Sequence, residues 1–509
     1  MKRQLLLQHP HHHRPTKLLF FLFTLFSVVA LALLALTLLF SPLSFREDEE
    51  LDASHRRPYC PNVPDGFICC DRTTSVRSDV CVMRGDIRTR PGSKSIHLYN
   101  SKMDNVTRVV EEIRPYTRKW ETSVMSTIDQ LRLVAIKDNH NNGSDHRCDV
   151  MHDSPALVFS TGGYTGNVYH EFNDGIIPLY ITSRRFDKKV VFVIVEYHDW
   201  WVMKYGNILS QMSYYDPIDF SGDNRTHCFP EVTVGLKIHD ELTVESENNM
   251  SIANFRNLLD EAYRPRIQSI EKEEEKANRT EKEINSPVEP SVMKKPRLVI
   301  VARNGSRGID NEEDLVNLCE EIGFDVVVIQ PTKTTELAKI YRDLNGSDAM
   351  IGVHGAAMTH LLFMRPKTAF IQIVPLGTEW AAEAYYGEPA RKLGLKYVEY
   401  RIVPRESSLY EKYPRDDPVL KDPSSVAAKG WEVTKEVYLD GQSVRLDLNR
   451  FLKRITRVYQ YAVRRKNTLK MDYDWSWQLP TKNRAPARKE IRKMKKKTIL
   501  FYFFDSLFC

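Results

Sequence analysis

The second half of the chain alternates short apolar runs with stretches of helical periodicity. Residues 298–302 form a β-branched run that stops in Arg303-Asn304-Gly305-Ser306-Arg307, the pattern of a buried strand bounded by turn residues. Residues 314–322 follow with helical spacing and end at Gly323, a good C-terminal cap. Residues 325–329 and 349–353 repeat the strand pattern, and 334–344 the helical one. A short helix over 356–364, stopped by Pro366, and a strand over 369–374 complete the series. Strand alternating with helix at this pitch predicts βαβ units and a parallel sheet.

The first half uses the same units more sparsely. Residues 156–160 and 190–195 read as buried strands. Residues 168–186 read as a helix tolerating Pro178, and 200–214 as a helix whose aromatic face is core packing. A charge run over 271–283, followed by Pro287, Pro290 and Pro296, reads as a solvated helix or a linker. The expected class is α/β, with two α/β domains facing a cleft that holds the ligand. Residues 58–266 make the Cys-rich entry and first domain, 267–296 the linker and 297–465 the second domain. An amphipathic helix over 446–463 closes the second domain, and 466–509 is a basic tail.

Residues 1–17 form a short basic tail, with a low-complexity His tract. Residues 18–40 are uninterrupted apolar sequence, long enough to span a bilayer at roughly 20 residues per crossing. The run exceeds the roughly 7–15-residue core of a cleavable signal. Positive charge before it and the acidic cluster 47–50 after it orient the N-terminus to the cytoplasm. The expectation is a single transmembrane signal anchor, a stem over 41–57 and a lumenal body. Cleavage near 30–32 would instead give a secreted form.

Ligands in parallel sheets sit beyond the carboxyl ends of the strands. Arg303 and Arg307 follow one such end, where guanidinium forks take phosphate oxygens in pairs. His354 and Gly355 follow another, and Gly355 opens a helix starting at Ala356 whose free N–H groups and dipole suit an anion. The set describes a diphosphate site that requires no metal. The competing reading is two solvated loop arginines and a turn glycine. In the segment 166–175, His170 and Asp174 are four apart and share a helix face. A carboxylate beside an imidazole can act as base and orienter for removing a hydroxyl proton. Helix capping plus a surface ion pair is the competing reading there.

Lys+Arg 73 against Asp+Glu 67 in 509 residues leaves a net charge of +6, much of the excess in 482–497, so charge alone does not imply nucleic acid. Hydrophobic content of 42% supports well-formed cores. Four of eight cysteines, Cys60, Cys69, Cys70 and Cys81, crowd together and imply disulfides in an oxidising compartment. Adjacent Cys69 and Cys70 pair outward, to Cys60, Cys81 or further. They lack the paired C-x-x-C spacing of a zinc site. Sequons at Asn105, Asn142, Asn224, Asn249, Asn278, Asn304 and Asn345 fit a lumenal chain.

Cys70-Asp71, the segments 78–88, 162–174, 218–220, 227–230, 234–237, 352–359 and 412–416 together resemble plant members of glycosyltransferase family 61. The likeness runs from about Cys60 to Val463 in order and spacing. It implies a GT-B-like fold of two Rossmann-like domains and an inverting transferase in the Golgi membrane, single-pass type II. Where many plant members read Gly-Ala-Gly-Leu-Thr-Asn, this chain has Gly355-Ala356-Ala357-Met358-Thr359-His360. That variant is similar to the subgroup containing xylan xylosyltransferases. The resemblance therefore implies transfer of a pentose, xylose, from UDP-xylose to a side-chain position of xylan in the plant cell wall. Arabinofuranosyl transfer to xylan and N-glycan β-1,2-xylosyl transfer are the alternatives. Arg303, Arg307, His354, Gly355 and Ala356 would hold the diphosphate in place of a metal, with no further cofactor. Asp174 or His170 would be the base, with Glu379 in reserve. Metal-using sugar transferases carry an Asp-x-Asp triplet at a strand end, whereas Asp472-Tyr473-Asp474 lies outside both expected sheets. Homo- and hetero-oligomers stay open.

Two readings from other classes compete. A Golgi sulfotransferase shares the anchored topology but would want a P-loop-like strand–loop–helix early in the domain, which this sequence lacks. A carbohydrate-binding Golgi subunit could use the same cleft without catalysis.

Overall fold

A computed structural model describes residues 60, 63–100, 109–137, 147–245, 250–282 and 295–478. The expected span 18–40 lies outside them. Among the described residues no helix is long and apolar enough to cross a membrane.

The first half forms a 10-stranded sheet. Its strands are β1 (Ile68–Asp71), β2 (Val80–Arg90), β3 (Ser95–Asn100), β4 (Val109–Ile113), β5 (Leu131–Lys137), β6 (Val150–Met151), β7 (Ala156–Ser160), β8 (Val191–Val195), β9 (Ile218–Asp219) and β10 (His227–Val234). The order is β4-β5-β3-β2-β10-β7-β8-β9, with β1 on β2 and β6 on β10. β7, β8 and β9 run parallel, with β10 parallel to β7. β1, β3 and β10 all pair antiparallel with β2. A plain Rossmann domain was expected here, and the mixed sheet departs from it. The turn from β2 to β3, Pro91–Ser93 with Lys94 in the left-handed region, is too short for the crossover that parallel strands need.

The second half meets the βαβ expectation. β11 (Arg297–Val301), β12 (Asp325–Ile329), β13 (Ala349–Val353), β14 (Ala369–Val374) and β15 (Lys396–Arg401) pair in parallel, in the order β12-β11-β13-β14-β15. This doubly wound order changes direction between β11 and β13, where a ligand crevice forms. β13 is buried along its whole length, as a parallel strand covered on both faces should be.

The longer helices are α1 (Asp199–Leu209), α2 (Ile252–Lys282), α3 (Glu312–Ile322), α4 (Leu337–Asn345) and α5 (Leu448–Gln478). Residues 267–282, expected to belong to a linker, are the second half of α2, which also absorbs Pro265. Its charges lie against α4: Arg266 pairs with Glu336 at 2.6 Å and Arg342 with Glu274 at 2.7 Å. The helices of the two halves share one apolar core. Phe363 stands at its centre, with ring centroids 5.9 Å from Phe172, 6.0 Å from Tyr263 and 5.2 Å from Tyr341. Fully burying each such side chain contributes about 1.5–3 kcal/mol, so the halves are joined by packing.

Disulfides join Cys70 to Cys81 and Cys148 to Cys228. Cys60 and Cys69 are disulfide-bonded as well, and Cys319 is a buried free thiol. The Asn345 sequon is closed: the Asn345 amide donates to the Tyr341 hydroxyl and the Phe363 carbonyl, both at 3.3 Å, and Ser347 is buried.

Candidate active site

Residues 168–186 are helical throughout, but Glu171–Ile176 widens to a π-helical turn between α-helical Val168–His170 and Ile177–Ser183. Such turns re-aim side chains and recur at functional sites. The Asn167 side chain starts the segment by accepting from the Tyr169 N–H. His170 and Asp174 share a face as their spacing predicts, with His170 Nδ1 donating to Asp174 Oδ2 at 2.6 Å.

Asp174 is wholly buried and saturated. Asn173 Nδ2 donates to Oδ1 at 2.8 Å, and Arg118 Nη1 to both oxygens at 3.3 and 3.2 Å. Arg118 also donates from Nε to Glu121 at 2.7 Å. Burial opposes the Arg118 charge, but Asp174 and Glu121 outweigh it and hold the guanidinium charged. A carboxylate so enclosed orients the imidazole and cannot itself meet an incoming hydroxyl. His170 Nε2, by contrast, has no partner among the described residues. Tyr164 stacks on the His170 ring at 4.0 Å, and its hydroxyl donates to Glu121 at 2.8 Å. Glu171, next in the chain after His170, accepts from the Gly166 N–H at 2.7 Å and from Trp201 Nε1. Burial still pushes its carboxyl up to about 7.

The second group forms where β11 and β13 end. Arg307 lies in the left-handed region, at φ 57°, an uncommon place for a residue with a side chain. Its N–H donates to the Gln442 carbonyl at 2.6 Å, and its Nη1 to the His354 carbonyl at 3.2 Å. Gly355 is required by close approach: a Cβ there would stand 2.6 Å from Arg303 Nη1 and 3.4 Å from Arg307 Nη1. The helix that Gly355 opens is a 3-10 helix, Ala356–Phe363, with Ala356 packed on the core. A short helix is expected there from the sequence, and here it takes the tighter 3-10 form.

The arginines face one another, and Asp440 acts on both charges without an ion pair to either. No carboxylate pairs with either among the described residues, and Arg307 Nε is a buried donor with no partner. Burial, then Arg303 alongside, lowers Arg307 to about 10. Burial, then Arg307 and Arg303, pushes His354 down to about 3, so its ring is neutral. Tyr397 donates its hydroxyl to Gln372 Oε1 at 2.8 Å, and Gln372 Nε2 lies 2.9 Å from His354 Nδ1. With the amide N–H donating to Nδ1, the imidazole proton sits on Nε2 and His354 is a donor at the crevice.

Two tyrosines connect the groups. Tyr169 lies 5.2 Å from His170 and 6.0 Å from Tyr386, and Tyr386 lies 5.5 Å from His354. The charge of Glu379 acts on Tyr438 and Arg401. Asp472-Tyr473-Asp474 runs within α5. Neither the cavity of about 580 Å³ between β15 and α5 nor that of about 630 Å³ between α2 and α4 opens on these residues.

Residues 227–371 match the family described as Glycosyltransferase 61. A xylan glycosyltransferase of Arabidopsis thaliana, MUCI21, is 58% identical over 402 residues, covering 78% of this chain and 80% of its own. The chain belongs to glycosyltransferase family 61. As a glycosyltransferase of that family it also resembles two rice proteins. The β-1,2-xylosyltransferase XYXT1 is 35% identical over 76% of this chain and 83% of its own. The α-1,3-arabinosyltransferase XAT3 is 34% identical over 75% and 63%. A solved bacterial glycosyltransferase, TibC of enterotoxigenic E. coli, overlaps 66% of this chain and 81% of its own at 11% identity and a TM-score of 0.27, too weak a likeness to argue from.

Within this glycosyltransferase, sequence reasoning missed Arg118, Tyr164, Gln372 and Tyr386 as parts of the groups. Arg118 lies 56 residues from Asp174, and no local spacing announces it. Tyr386 carries no chemistry in the sequence until His354 faces it.

Proposed function

We propose that this glycosyltransferase transfers a pentose, xylose, from UDP-xylose to a hydroxyl of xylan with inversion. The observation that carries the donor reading is the guanidinium pair where β11 and β13 end, half-buried Arg303 and buried Arg307 with its partnerless Nε–H. A pair with no carboxylate bonded to it suits a diphosphate. His170 Nε2 takes the acceptor hydroxyl proton as that oxygen attacks the anomeric carbon. Asp174 steadies the imidazole through Nδ1. The bond from the anomeric carbon to the diphosphate breaks, and its electron pair leaves on UDP. Arg303, Arg307 and the His354 Nε2–H meet the developing charge, so the step calls for no metal. Xylan as acceptor draws support from the named activity of the Arabidopsis relative. A type II Golgi anchor over 18–40 draws support from the apolar run and its flanking charges.

An arabinofuranosyl donor is the second reading, favoured by the likeness to the rice arabinosyltransferase. A screen of UDP release by the full-length protein separates them, using UDP-xylose, UDP-arabinofuranose and UDP-N-acetylglucosamine with xylo-oligosaccharides. Turnover with UDP-xylose that survives EDTA and fails in Arg303→Ala is expected. Silence with every donor would leave only a carbohydrate-binding role.

A further inference from the structure

The outer edge of the five-stranded sheet carries a second charged concavity. The cavity of about 580 Å³ between β15 and α5 falls within the size of ligand sites, roughly 300–1,000 Å³. Lys396 and Arg401 from β15 and Arg450, Arg454 and Arg457 from α5 line it, against one carboxylate, Glu399. The three helix arginines follow at helical spacing and form a row.

Two of that row have structural work. Arg450 Nη2 donates to the Arg401 carbonyl at 2.7 Å and Arg454 Nη1 to the Glu399 carbonyl at 3.2 Å, which closes the open edge of the sheet. Arg450 also pairs with buried Glu406 at 2.5 Å, and Arg401 with Glu399 at 2.9 Å. The side chain of Arg457, next in the row, has neither a carbonyl nor a carboxylate partner among the described residues, and the same holds for the Lys396 ammonium.

Cations on an edge strand can simply discourage pairing with another strand. That accounts for Lys396 and Arg401 but not for an unpaired arginine on a helix. Tyr397 and Tyr461 stand in the same walls, each packed against the core and Tyr397 also against Phe370 and Arg391. Their hydroxyls are tied down, to Gln372 at 2.8 Å and to the Lys367 carbonyl at 2.9 Å, so the rings are fixed. Fixed rings beside guanidinium forks suit a sugar chain that carries carboxylates. Val374 stands opposite Arg401, and the His354 N–H reaches the Ile373 carbonyl. The Arg401 end of the groove is thus level with His354, two strand spacings or about 10 Å across the sheet.

We propose that the groove between β15 and α5 binds a carboxylate-bearing stretch of the acceptor polysaccharide, with Arg457 and Lys396 taking a uronate. This rests on a polysaccharide being the acceptor.

Calorimetric titration of the full-length protein without donor tests it. The probes are xylo-oligosaccharides of equal length with and without uronosyl side groups, against wild type, Arg457→Gln and the Arg457→Gln/Lys396→Gln pair. The uronosyl oligomer should bind wild type about tenfold tighter than the neutral one. The double variant should lose that preference while turning over a short neutral acceptor at the wild-type rate. Equal affinity for the two oligomers, or a preference that survives the double variant, overturns the proposal. Displacement of the uronosyl oligomer by equimolar inorganic pyrophosphate also overturns it, since the groove would then be an unselective anion patch. Absence of transfer to the neutral acceptor in wild type would instead count against the proposed function, because the uronate difference is read without donor.

Discussion

The dyad around His170 and the arginine pair around Gly355 handle charge in opposite ways. Around Asp174 every charge is answered: the carboxylate has Arg118, Asn173 and His170, and Arg118 has Glu121 in addition. Around Gly355 two guanidiniums crowd a neutral imidazole with no carboxylate paired to either among the described residues. A satisfied network holds a side chain in place, and an unsatisfied one waits for a ligand. Breaking the first should therefore damage the fold, whereas breaking the second should damage only binding.

The largest effect is expected at His170, where the two roles meet. His170→Gln should lower kcat about 10²–10⁴-fold while leaving the donor KM near wild type, as steady-state kinetics would read. A large rise in donor KM would place His170 on the wrong side of the reaction. Next comes Arg118→Met, which takes the guanidinium from buried Asp174, leaving it Asn173 and His170, and should cost about 3–5 kcal/mol in denaturant unfolding. Wild-type stability in that variant would show the carboxylate to be hydrated.

Arg307→Gln should behave in the reverse sense. Removing the buried one of two adjoining like charges should leave Tm unchanged or raised, while kcat/KM falls about 10²–10³-fold. Loss of stability there would erase the contrast between the two clusters. The smallest effect concerns Glu171. Its folded pKa of about 7 lies above the ordinary 4.5, so the folded state binds the proton more tightly. The stability this confers is present in full below about pH 4.5 and is lost as pH rises through about 7, by up to about 3 kcal/mol. Glu171→Gln should flatten the fall of Tm between pH 5 and 8, and an unchanged slope would refute the assignment.

Much of the second half could be read from the sequence because its strands are β-branched runs cut off by Gly, Asp or Pro. β12, β13 and β14 begin and end at the residues where those runs do. Gly323 caps α3 in the left-handed region as its position implies. In the first half β7 and β8 fall where their runs do, but β2 and β3 resisted because they mix polar and apolar residues and owe their order to a short turn, not to periodicity. Of the two readings of the charge run 271–283, the solvated helix is the one found: residues 271–277 are exposed on α2, and Glu274 reaches Arg342 of α4. His170, Asp174, Arg303, Arg307, His354 and Gly355 were visible because short spacing or a strand end carries them. Their partners Arg118, Gln372 and Tyr386 come from distant segments, and only folding brings them near.

The most direct measurement is the thermal shift produced by UDP alone, with and without EDTA, on the wild-type protein and on Arg307→Gln. The two-cluster account predicts a rise in Tm that grows with UDP concentration in wild type, persists in EDTA and is absent from the variant. No shift in wild type, or an equal shift in both proteins, would contradict it.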